Sequence, residues 1–139
     1  MDRIEKLIQE RDNVEALIKC TCLIHNLTLK EFKTKSRERR FIDARRMTYA
    51  LCKDLLNFGW SKIAQEFNMN HASIIHHYKQ HLSFLDMDKY YLDKYDSLVE
   101  VAKCEIGYVD INTIIEEARK TNQERILNRL NIKNNISEL

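Results

Sequence analysis

Asn70, His71, Ala72 and Ser73 stand in a row directly after a short corner, Asn68-Met69. Each of the four can address a different group on a nucleobase edge. An amide that donates and accepts at once suits adenine, and an imidazole N–H suits the N7 or O6 of guanine. A methyl packs on the thymine methyl, and a hydroxyl serves several partners. Upstream, Lys33, Lys35, Arg37 and Arg39 crowd one polar stretch, and Arg45, Arg46 and Lys53 follow. Residues 28–53 hold nine Lys/Arg against three Asp/Glu, a local charge of +6, whereas residues 84–139 hold eight against eleven, or −3. A solvated helix face is the ordinary meaning of a basic block. Base-addressing side chains just beyond it turn the reading toward a polyanion.

Other constellations lead to plainer chemistry. Cys20, Cys22 and His25 lie close in sequence, but Cys-x-Cys on a helix points its thiols about 200° apart, and a zinc site needs four convergent ligands. The expected role is that of small buried hydrophobes. His77 and His81 have the i, i+4 spacing that can hold a metal. The simpler expectation is His76 packed under the basic helix, with the other two facing solvent or phosphate. Ser73 beside His71 lacks both an orienting third group and a nucleophile-elbow glycine. Tyr90, Tyr91, Tyr95 and Tyr108 can stack on single-stranded bases, yet their helical spacing among Asp88, Asp93 and Asp96 reads as packing. Neither catalysis, a metal nor a cofactor is expected.

The elements that must position these residues are helical. The chain has 139 residues, 44% hydrophobic, with two glycines and no proline, and strand-rich folds need more turn formers than that. Ile4, Leu7, Ile8, Val14, Leu17 and Ile18 predict a first helix from about residue 3 to residue 22. Thr28 and Glu31 form a capping box that starts a short second helix. Phe41, Ala44, Thr48, Leu51, Cys52 and Leu55 make the stripe of a third, and Gly59 closes it off. Ser61 is expected to cap a helix burying Ile63, Ala64 and Phe67. Asn70 is expected to cap the next, which turns Ile74, Ile75 and Tyr78 inward and runs on past Leu82. Two short helices about a tight corner form a helix-turn-helix. A further helix follows through Tyr91, Tyr95 and Leu98 to Gly107, and a last one, capped by Asp110, carries Ile111, Ile114, Ile115, Ala118, Ile126, Leu127 and Leu130.

Four segments carry a family resemblance: residues 27–37 (Leu-Thr-Leu-Lys-Glu-Phe-Lys-Thr-Lys-Ser-Arg), 44–47 (Ala-Arg-Arg-Met), 63–67 (Ile-Ala-Gln-Glu-Phe) and 70–76 (Asn-His-Ala-Ser-Ile-Ile-His). In that order and spacing, from about Asn13 to Gln80, the chain resembles the C-terminal DNA-binding domain of the bacterial replication initiator DnaA. The resemblance implies three contacts with duplex DNA. Arg37, with Arg39 beside it, would enter the minor groove. Lys33, Lys35, Arg45, Arg46, Lys53 and Lys79 would lie on phosphates. Asn70, His71, Ala72 and Ser73 would occupy the major groove. The chain departs from the family where bases are read: Asn70 replaces an Asp, Ala72 a Thr, and the corner lacks its glycine. Arg46 stands where Gln is common. No Gly-x-x-x-x-Gly-Lys-Ser/Thr phosphate loop is present in the sequence, so ATP hydrolysis is not expected.

The expectation is thus an all-α, non-enzymatic double-stranded DNA-binding protein. Residues 1–83 form its helix-turn-helix domain, and residues 84–139 a helical extension suited to homodimerisation or to docking a replication or transcription protein. It would act in the bacterial cytoplasm or nucleoid, on replication initiation or transcription, and a phage or mobile element is a natural setting. The competing expectation is a protein-interaction module that kept the fold and lost its DNA target. Salt dependence separates the two.

Overall fold

The computed structural model describes residues 2–107, 115–116 and 118–127. Among the described residues every regular element is a helix: α1 (Arg3–His25), α2 (Leu29–Lys33), α3 (Arg39–Asp54), α4 (Trp60–Glu66), α5 (His71–Met87) and α6 (Lys89–Ile106). The chain divides into two compact units, Met1–Tyr108 and Val109–Leu139. The boundary therefore falls at 108/109, whereas the one drawn at 83/84 cuts through the interior of α5. In the second unit, residues 115–116 and 118–127 are helical, and Ile115, Ile126 and Leu127 are exposed. Asp110, Ile111, Ile114, Leu130 and Tyr108 lie outside the described residues.

Among the described residues, side chains cap four of the six helix N-termini. Asp2 accepts from the Glu5 amide at 2.8 Å. Thr28 and Glu31 exchange both bonds of the capping box, at 3.0 and 3.1 Å. Helix α1 runs three residues beyond its expected end at Cys22 because Asn26 adopts the left-handed conformation at φ 54° and returns its amide to Cys22 and Leu23. Asn57 (φ 56°) and Asn68 (φ 51°) make the other two left-handed turns within the first unit that precede Gly107. Asparagine tolerates that region better than other side chains do, so a corner without glycine still closes. Gly59 is not the turn residue: it has φ −71° and serves as the N-cap of α4. Ser61 accordingly sits inside α4 and does not cap it. The helix begins two residues earlier than a Ser61 cap would place it, at Trp60, whose ring packs edge-on against Tyr78 at 5.1 Å.

The core runs through α1, α3, α5 and α6. Val14, Leu17, Ala44, Ala50, Leu51, Cys52, Ile63, Ile74, Leu98 and Ala102 are all fully or almost fully buried. Tyr91, Tyr95, Leu98 and Ala102 recur at helical spacing on the inner face of α6, so two of the four tyrosines pack inside while Tyr90 is exposed. Cys20, Cys22 and Cys52 are buried, and desolvation raises all three thiols, Cys52 to about 12. Helix α4 is pinned to α1 by Arg11–Glu66 at 2.9 Å and Lys62–Glu10 at 3.2 Å.

Buried polar groups fix α5. Arg46 is 6% exposed; it pairs with Asp43 at 3.1 Å, donates to Gln80 Oε1 at 3.1 Å and stacks 4.9 Å above the Phe84 ring. His81 is wholly buried, with Nδ1 2.7 Å from the Tyr91 hydroxyl. Tyr78 and Tyr95 donate to the two oxygens of Asp54, at 2.8 and 3.1 Å. These contacts reverse the expected facing of the histidines: His81 is sealed, His77 is half-buried against Tyr49, and His76 is exposed. The reason is helical phase. With Ile74 inward, residues three, four and seven positions on follow it, and His76, two positions on, is turned about 200° away.

Two expectations for stability follow. Burial, with the Lys94 and Arg46 charges nearby, lowers His25 and His81 to about 4. The unfolded chain binds those protons near pH 6.5, so stability is complete above that pH and falls as pH drops toward 4, by about 2 kcal/mol per histidine at pH 5. Thermal melts from pH 7.5 to 5 measure this, and an invariant midpoint contradicts it. Arg46→Ala leaves Asp43 only its longer pair with Arg39 and empties the α3–α5 seam, and should cost about 3 kcal/mol in urea unfolding.

Candidate nucleic-acid interface

The loop between α2 and α3 is irregular backbone held by one guanidinium. Arg45 Nη1 donates to the Thr34 carbonyl at 2.9 Å, Nη2 to the Ser36 carbonyl at 2.5 Å, and Nε to the Phe41 carbonyl at 3.3 Å. With the backbone so held, Lys33, Lys35 and Arg37 are exposed and have no acidic partner among the described residues. They line a groove of about 540 Å³. Its floor is apolar, from Phe32, Ile42, Tyr49, Phe67 and Met69, and its far wall is the corner 67–69 that leads into α5. The cationic loop and the corner that precedes α5 therefore line one groove.

At the first turn of α5 the Asn70 side-chain oxygen accepts from the Ala72 amide at 2.8 Å. Asn70 Oδ1 thus gives one lone pair to the cap, and its Nδ2 donors are left to reach outward. His71 and Ala72 are exposed and Ser73 is half-buried. Along the helix, Ala72, His76 and Lys79 share one outward face, the last about 10 Å from the first. His76 was missed as a candidate contact. The adjacent pair Ile74-Ile75 left the phase of α5 ambiguous, and only burial of His81 by Tyr91 resolves it. His77 lines the groove from inside, and burial with Arg46, His76 and Arg45 nearby lowers its pKa.

The remaining arginines and Lys53 are engaged within the protein. Arg39 bonds Asp88 at 2.5 Å and Asp43 at 3.4 Å and lies 5.3 Å from the Phe84 ring centre. It borders a separate hollow with Arg40, Asp43, Asp88 and Tyr90, so it does not stand beside Arg37. Arg46 is buried and cannot meet a phosphate, and Arg45 is committed to the loop carbonyls. Lys53 continues the groove face of α3, half-buried, its Nζ 4.4 Å over the Trp60 ring. Among the described residues no helix is long and apolar enough to cross a membrane.

A protein-family model described as the bacterial dnaA protein helix-turn-helix matches residues 14–80. The chromosomal replication initiator protein DnaA of Thermoanaerobacter sp. (strain X514) is 28% identical over 75 residues, 54% of this chain and 15% of that protein. The protein of the same name from Bacteroides thetaiotaomicron is 31% identical over 77 residues, 55% of this chain and 16% of its own length. The chain thus spans about one-sixth of these relatives. A solved structure of a DNA replication initiation factor superposes with TM-score 0.65 at 18% identity, covering 73% of this chain and 32% of the other, which shows a shared fold. Over residues 14–80, just under half of its length, the chain matches the helix-turn-helix family of bacterial DnaA.

Proposed function

We propose that the chain binds double-stranded DNA, with the first turn of α5 in the major groove and Arg37 in the adjacent minor groove, and so controls replication initiation or transcription by occupying a duplex site. One observation carries this reading: three unpaired cations line a groove whose other side is the corner 67–69, and that corner leads directly into an exposed helix start at His71 and Ala72. His71 supplies a donor for a base edge and Ala72 a methyl surface. An arginine in a narrow minor groove meets concentrated negative potential, so A/T-rich steps are favoured beneath Arg37. Lys33, Lys35 and Lys79 serve the phosphates. With Arg45 and Arg46 withdrawn and Arg39 paired, about four cations remain, and log K should fall with log[salt] at a slope of roughly −4.

Selection of bound duplexes from a random pool, followed by fluorescence anisotropy across salt, tests the reading. His71→Ala should relax preference at one base position, at a cost of about 1–3 kcal/mol, and Arg37→Ala should weaken binding about tenfold. A chain that enriches no sequence and shows no salt dependence overturns the proposal. It would then fit a protein-interaction role.

A further inference from the structure

The loop on one side of the groove holds Lys33, Lys35 and Arg37 within five residues. Mutual repulsion and backbone entropy oppose any single arrangement of such a loop. Arg45 counters both through geometry. Its bonds to the Thr34 and Ser36 carbonyls bracket Lys35, and the second lies directly before Arg37. One planar fork therefore fixes the two peptide groups that aim those side chains. As a charge, Arg45 is a fourth cation among three. Its benefit to the loop lies in the fork, and an ammonium cannot hold two carbonyls in that planar arrangement.

We propose that Arg45 is a positioning residue: it pre-forms the cationic loop and acts on duplex DNA through Arg37, without itself contacting a phosphate. The second half of this statement rests on the DNA-binding reading above, and the first half does not.

The test uses the full chain and two readouts. Without DNA, trypsin cleavage after Lys35 and Arg37, mapped by mass well below the melting temperature, should quicken about fivefold in both Arg45→Ala and Arg45→Lys. The Lys variant keeps an alkyl stem and a charge, and it carries the test alone if the Ala variant unfolds. With the duplex most enriched by the wild-type chain, both variants should bind about tenfold more weakly at an unchanged salt slope. The Arg37→Ala/Arg45→Ala double variant should bind within about twofold of Arg37→Ala, because the two side chains act in one chain of effect. Wild-type affinity in Arg45→Lys, or a salt slope shallower by about 0.9 in Arg45→Ala with additive losses, identifies a phosphate contact and overturns the proposal. Unaltered loop cleavage in both variants overturns the clamp. A wild-type chain that enriches no duplex sinks the DNA reading and the second half with it, while the cleavage comparison still decides the first half.

Discussion

A guanidinium out of water is costly unless it is paired, and Arg46 is paired between α3 and α5, its Nε alone left without a hydrogen-bond partner. Asp43 supplies the countercharge, Gln80 an acceptor and Phe84 a ring face. Gln80 and Phe84 both belong to α5, so the same contacts that accommodate the cation set the rotation of that helix. From that rotation follow the buried Ile74 and His81 and the outward line of Ala72, His76 and Lys79. The freedom of the helix start is thus a by-product of a seam formed three turns later.

Local chemistry solves the connections with little glycine. Three asparagines take left-handed turns, and a fourth caps α5. Each short polar side chain is tolerated where a branched one would clash. The corner is the instructive case: Asn68 bends the chain, and Asn70 then ties down the first amides of α5. Bend and cap together fit within three residues.

Much of the architecture was legible from residue types and spacing. The capping box at Thr28, the cap at Asn70 and the inner stripe of α6 are local patterns, and local patterns decide them. The basic loop and the corner before α5 line one groove. What could not be read was the direction of each arginine. Arg37, Arg39, Arg45 and Arg46 look alike in sequence, yet one is free, one is drawn to Asp88, one grips the loop and one is buried. Two of those fates depend on partners 49 and 34 residues away. The domain boundary was misplaced for a related reason: a change of net charge after residue 83 says nothing about which faces pack, and α6 buries its tyrosines against the earlier helices.

Asp54 receives one hydroxyl from α5 and one from α6 while standing on α3. Three helices share a single exposed carboxylate, so a tilt of α5 alone would stretch its Tyr78 bond while the Tyr95 bond holds α3 to α6. Under the proposed DNA-binding reading, a helix held in this way adapts little to a poorly matched site, and the strain of a misfit falls on the duplex, so that stiff or kinkable base steps outside the contacted positions contribute to discrimination.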